Sequence, residues 1–60
     1  MTLQQYNEHG KFKMKFKCII KSRVAYTLAK SLEQCKAKFT GCLCEEVTEE
    51  EFLSNYVFTN

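Results

Sequence analysis

Between Lys11 and Lys21 the chain alternates with a period of two: Phe12, Met14, Phe16, Cys18 and Ile20 interleave with Lys11, Lys13, Lys15, Lys17, Ile19 and Lys21. Successive side chains of a strand point to opposite faces, so this segment predicts a β-strand with one apolar and one lysine face. Ile19 is the single break in the lysine row. Phe12 and Phe16 are expected to point into the core, and the rest of the chain has to cover them.

The cover is predicted from the change of period. Ala25, Leu28, Ala29, Leu32, Cys35 and Phe39 share one stripe at helical spacing, which predicts an amphipathic helix from about Val24 to Phe39. Ser22 would cap its start and Gly41 would end it. A competing reading makes Arg23–Leu28 a second strand, joined to the first by a tight turn at Lys21-Ser22. Cys42–Val47 alternates as a short strand. Thr48 then opens a capping box with Glu51, and a helix runs from Glu49 to about Val57, setting Phe52 near Tyr56 and Leu53 near Val57. Upstream, Thr2 and Gln5 form another capping box, with Gly10 closing a short helix.

The expected architecture is therefore a single α+β domain over residues 1–60, in the order (α)-β-α-β-α. It has a two- or three-stranded sheet with a central amphipathic helix on one face. A strand–helix–strand run permits a right-handed crossover between parallel strands. Two strands alone make a poor sheet, so either Arg23–Leu28 supplies a third or a second copy completes it as a homodimer.

A domain of 60 residues buries only about 60% of the surface its unfolded chain exposes, and small scaffolds often add a staple. Core material is adequate, with 45% apolar residues and no proline. The residues after Met1 are polar, with no apolar leader core, so a cytoplasmic location is expected and the cysteines should be reduced thiols. The formal charge of +2 hides a segregation: all nine bases lie between Lys11 and Lys38 with Glu33 as the only acid, a local +8. From Cys42 onward there are five glutamates and no base.

The lysine row spaces ammonium groups about 6.5–7 Å apart, loosely matched to phosphates; it equally suits a solvated sheet face. A second basic stripe, Arg23, Lys30 and Lys38, would lie on the far side of the expected helix, so one duplex could not easily touch both. No aromatic interleaves with the lysines on their own face, as a stacking platform for single strands requires. Cys18, Cys35, Cys42 and Cys44 lack the close paired spacing of structural zinc sites, and no metal or other cofactor is expected. His9, the one histidine, has no assignable partner, and Glu49–Glu51 are first-turn acids of a helix. Catalysis is not expected.

The C-terminal apolar residues Phe52, Leu53, Tyr56, Val57 and Phe58 exceed what one short helix can bury, which favours an interface. The expected function is that of a small non-enzymatic interaction protein that occludes a macromolecular partner, most readily a protein. It would use Lys11, Lys13, Lys15, Lys17, Lys21, Phe52, Tyr56 and Phe58. Free-standing domains of this size and bipolar charge look like the compact inhibitors encoded by phages and other mobile elements. The alternative is nucleic-acid binding by the lysine face.

Overall fold

Two residues, Lys21 and Ser22, reverse the chain between strand β1 (Met14–Ile20) and strand β2 (Arg23–Ala29). The computed structural model describes residues 1–59. The segment Arg23–Leu28 is thus a strand, and the long helix from Val24 to Phe39 is replaced by β2 plus a helix α2 over Leu32–Lys38. The reason is tertiary. Val24, Tyr26 and Thr27 are β-branched or aromatic, and all seven β2 residues register against β1, Met14 to Ala29 through Ile20 to Arg23. Ser31 caps α2 instead of Ser22: its Oγ accepts the Gln34 N–H, while Gln34 Oε1 accepts the Lys30 N–H.

Strand β3 (Leu43–Glu46) lies on the other side of β1, giving the order β2-β1-β3 with both pairings antiparallel. The parallel pairing that the strand–helix–strand run permitted between the first and last strands does not occur: the hairpin reverses the chain, so the α2 connection joins β2 to β3 across the intervening β1. The third strand comes from within the chain, so sheet completion no longer calls for a second copy.

Strand β1 also starts later than Lys11. Gly10–Phe12 form one turn of 3₁₀ helix, and the ladder partner ends at Ala29, leaving Lys11–Lys13 nothing to pair with. Phe12, expected in the core, is 78% exposed with the Lys11 ammonium 5.3 Å from its ring centre. Gly10 is buried, and the neighbours press so close that a Cβ there would come 2.8 Å from Leu28 Cδ1.

Both faces of the sheet are covered. On one, Phe16, Cys18, Ala29 and Cys44 pack with Cys35 of α2, flanked by Met14, Phe39 and Cys42. On the other lie helix α1 (Leu3–Glu8) and helix α3 (Glu49–Asn55), with Tyr6 and Phe52 buried. Both helices carry the expected threonine caps: Thr2 Oγ1 accepts the Gln5 N–H, and Thr48 Oγ1 accepts the Glu51 N–H. Among the described residues no helix is long and apolar enough to cross a membrane.

Two turn residues have left-handed backbones. Lys21 has φ 55, which costs a side-chain-bearing residue about 1–2 kcal/mol. Gly41 (φ 87) turns the chain from α2 into β3, where the Cys42 N–H donates to the Phe39 carbonyl at 3.1 Å. Opposite effects are expected in urea unfolding. Lys21→Gly should stabilise by about 0.5–1 kcal/mol, part of the relief being offset by the freer unfolded chain. Gly41→Ala should destabilise by about 1–2 kcal/mol although its Cβ has open space. A destabilised Lys21→Gly protein would contradict the hairpin geometry.

Candidate functional site

The lysine face is the face that α1 and α3 cover. Lys15 and Lys17 of β1, Tyr26 of β2 and Glu45 of β3 project together, since residues paired across a ladder share a side. Lys15 lies with its ammonium 5.6 Å from the Tyr6 ring centre and donates to the Lys11 and Lys13 carbonyls, each at 3.0 Å. Lys17 Nζ is 3.5 Å from Glu45 Oε2 and 4.0 Å from Glu51 Oε2. Pairs this exposed contribute about 0.2–1 kcal/mol each. Their larger effect is on charge, because the two central lysines are occupied within the molecule.

The C-terminal aromatics supply the cover. Phe52, fully buried, stacks on Tyr56 at 4.8 Å and on Tyr6 at 5.7 Å, with Tyr26 edge-on at 6.5 Å. Phe58 meets Tyr56 and Tyr6 edge-on at 4.9 and 5.7 Å. Each such contact adds about 0.5–1.5 kcal/mol beyond simple burial. The first turn of α3 is pinned at its polar end too: Tyr6 OH donates to Glu49 at 2.8 Å, and Tyr26 OH donates to Glu51 at 3.2 Å. Thr59 N–H donates to the Met1 carbonyl at 2.9 Å, bringing the two ends of the described chain together.

The eight candidate residues therefore separate. Lys15, Lys17, Phe52, Tyr56 and Phe58 converge in one internal assembly, whereas Lys11, Lys13 and Lys21 are exposed outside β1. Lys17 is the only lysine or arginine in an ion pair among the described residues. The apolar surplus that stays outside is Leu53 and Val57, the latter 82% exposed.

A feature not anticipated lies beside this assembly. An open groove of about 570 Å³ runs between β2 and the end of α3, lined by Lys17, Val24, Ala25, Tyr26, Asn55, Tyr56 and Val57. It borders the outer edge of β2, which no backbone hydrogen bond from another element reaches among the described residues. A two-residue hairpin loop makes Ile20 and Arg23 a hydrogen-bonded pair, so Val24, Tyr26 and Leu28 turn their backbone groups to that open edge. The signal was present in Val24–Leu28 as a second alternation, hidden under the longer helical stripe. Ser31-x-x-Gln34 also marks where the helix really starts.

The opposite face gathers the cysteines. Cys18 Sγ lies 3.7 Å from Cys35 Sγ and 3.9 Å from Cys44 Sγ, with all three residues buried. Burial first, and then the neighbouring thiols, push Cys35 up to about 12, and burial raises Cys18 as well. These core thiols are poor nucleophiles as they stand. Spacing along the chain could not reveal the cluster, because β1, α2 and β3 each contribute one member.

No protein-family model, curated protein or solved structure matches this chain.

Burial, then the bond to Glu49, pushes Tyr6 from the ordinary 10.0 up to about 12. A group whose folded pKa is raised stabilises below its unfolded pKa and loses that contribution as pH climbs through the folded value. The melting temperature of the reduced protein should therefore fall between about pH 10 and pH 12 as Tyr6 ionises, with Cys35 acting in the same direction. Tyr6→Phe should be less stable at pH 8 but show a shallower alkaline decline. Equal slopes in the two proteins would remove Tyr6 as a contributor.

Proposed function

We propose that this chain is a non-enzymatic protein-binding module that captures an extended partner segment along the open edge of β2. The observation that carries this reading is the pairing of an unprotected edge strand with an adjoining groove. An edge presents unpaired N–H and C=O groups, and adding a strand to it gives affinity from the main chain. Proteins commonly blunt such edges with proline, bulges or inward charges. Here Val24 and Tyr26 point into the groove from the strand itself, and Tyr56 and Val57 line its other side.

Charge supports the choice of partner. Lys21 and Arg23 stand at one end of the edge and Lys30 just beyond the other, all exposed and outside any ion pair among the described residues. A segment with an apolar side chain for the groove and acidic residues at its ends fits this pattern. Occlusion of such a segment is the mode of action expected of a compact inhibitor or regulator, of the kind mobile elements encode. The occupation of Lys15 and Lys17 by Tyr6 and glutamates favours this edge over the lysine row, and favours protein over nucleic acid.

Selection from a displayed random-peptide library is the direct test. Wild type should enrich sequences that alternate apolar and acidic residues, and Val24→Lys combined with Val57→Lys should lose at least tenfold in affinity for them. Both valines are largely exposed, so the fold should survive the change. Enrichment that persists in the double variant would place the contact elsewhere. Tight, steeply salt-dependent retention of oligonucleotides without peptide enrichment would replace this function with nucleic-acid binding.

A further inference from the structure

We propose that Cys18, Cys35, Cys44 and Cys42 form a structural site for a thiophilic divalent cation, zinc by preference. The geometry is the first ground. A tetrahedral ion bound to sulfur at about 2.3 Å sets neighbouring sulfurs about 3.8 Å apart. The two Sγ separations from Cys18 are 3.7 and 3.9 Å, and the three sulfur atoms all lie within 4.8 Å of one another. A point equidistant from the three then lies about 2.2–2.5 Å from each, which brackets the zinc–sulfur bond.

The donor set is the second ground. Three of the four cysteines meet at one place, from β1, α2 and β3, and the fourth, Cys42 in the turn before β3, packs against them. Cys42 is half-buried against the same cluster and would supply the fourth sulfur. Four thiolates on a divalent ion carry a net charge of −2, and the last turn of α2 holds Lys36 and Lys38 beside it in the chain.

What the site would do is the third ground. Helix α2 is seven residues long, and Cys35 is its only buried side chain. A helix this short has little stability of its own, so its attachment rests on few contacts, chiefly Cys35 and the flanking Phe39. Bonds from an ion to Cys35, Cys18 and Cys44 would tie α2 to the central and outer strands at once. No redox step is involved: each thiol releases its proton to solvent as the metal–sulfur bond forms.

The test uses the full chain, reduced and kept under inert gas, titrated with cobalt(II) as a spectroscopic stand-in and then with zinc. Binding of one cobalt per chain is expected, with the charge-transfer and visible bands of a tetrahedral thiolate site that zinc then bleaches. Zinc at a hundredfold excess over its Kd should raise the melting temperature by about 10 °C or more. Cys42→Ser, altered at the most accessible ligand, should stay folded, weaken binding at least tenfold and reduce the thiolate absorption. Affinity unchanged in Cys42→Ser would overturn the four-sulfur site. Wild-type protein without the thiolate bands and without a zinc-dependent rise in melting temperature would overturn the proposal as a whole. Peptide capture at the β2 edge does not enter either readout.

Discussion

Strand β1 is the constraint on which everything else depends. Among the described residues it is the only strand paired on both edges, and both of its faces are covered. Phe16 and Cys18 anchor one layer; Lys15 and Lys17 face the other, where Lys15 lies against the Tyr6 ring and Tyr6 stacks on Phe52. Each remaining element is placed by what it adds to β1. The hairpin supplies one neighbour, the α2 crossover carries the chain to the other side, and α3 returns across the lysine face.

That arrangement decides how the charge can be used. A row of lysines on a bare sheet would be a broad positive surface. Beneath an aromatic cover, long lysine stems pack while their ammonium groups reach backbone carbonyls and glutamates at the margin. The acidic C-terminal third serves the same end: Glu49 and Glu51 start α3 and accept from Tyr6 and Tyr26. The bipolar charge of the chain is thus partly an internal fastening between its halves. Among the described residues the bases outside ion pairs and off the covered face are Lys11 and Lys13 before β1 and those around the hairpin, the β2 end and α2, so the row itself is broken up and the edge strand keeps its flanking charge.

The α+β class, the core strand, both threonine-capped helices and the short third strand were legible because each rests on local pattern or capping chemistry. The proximity of Phe52 and Tyr56 follows from helical spacing and is observed at 4.8 Å. Residues 23–29 were harder, since Ala25, Leu28 and Ala29 satisfy a helical stripe while Val24, Tyr26 and Thr27 satisfy a strand. The open edge of β1 settled that competition, and an edge is a property of the fold. Phe12 failed for a related reason: alternation predicts a side, but only a pairing partner keeps the strand going. The groove and the thiol cluster lie further out of reach. Both are built by elements distant in sequence, with no spacing rule to announce them.

The two layers are held by unequal means. On the α3 side, five rings and two tyrosine–glutamate bonds join α1, β2 and α3 into one network. On the α2 side the fully buried large side chain is Phe16, and the rest of the core is alanine and cysteine. Cysteine buries little more surface than alanine, so as plain packing this layer is a weak choice for a chain already short of core. Valine or leucine at those positions would bury more apolar area. Sulfur ligands make a different kind of contribution, because metal binding to a site absent in the unfolded chain acts as folding free energy. The layer poorest in apolar packing is the layer where three thiols meet and the fourth packs beside them, as a metal-stapled small domain would require.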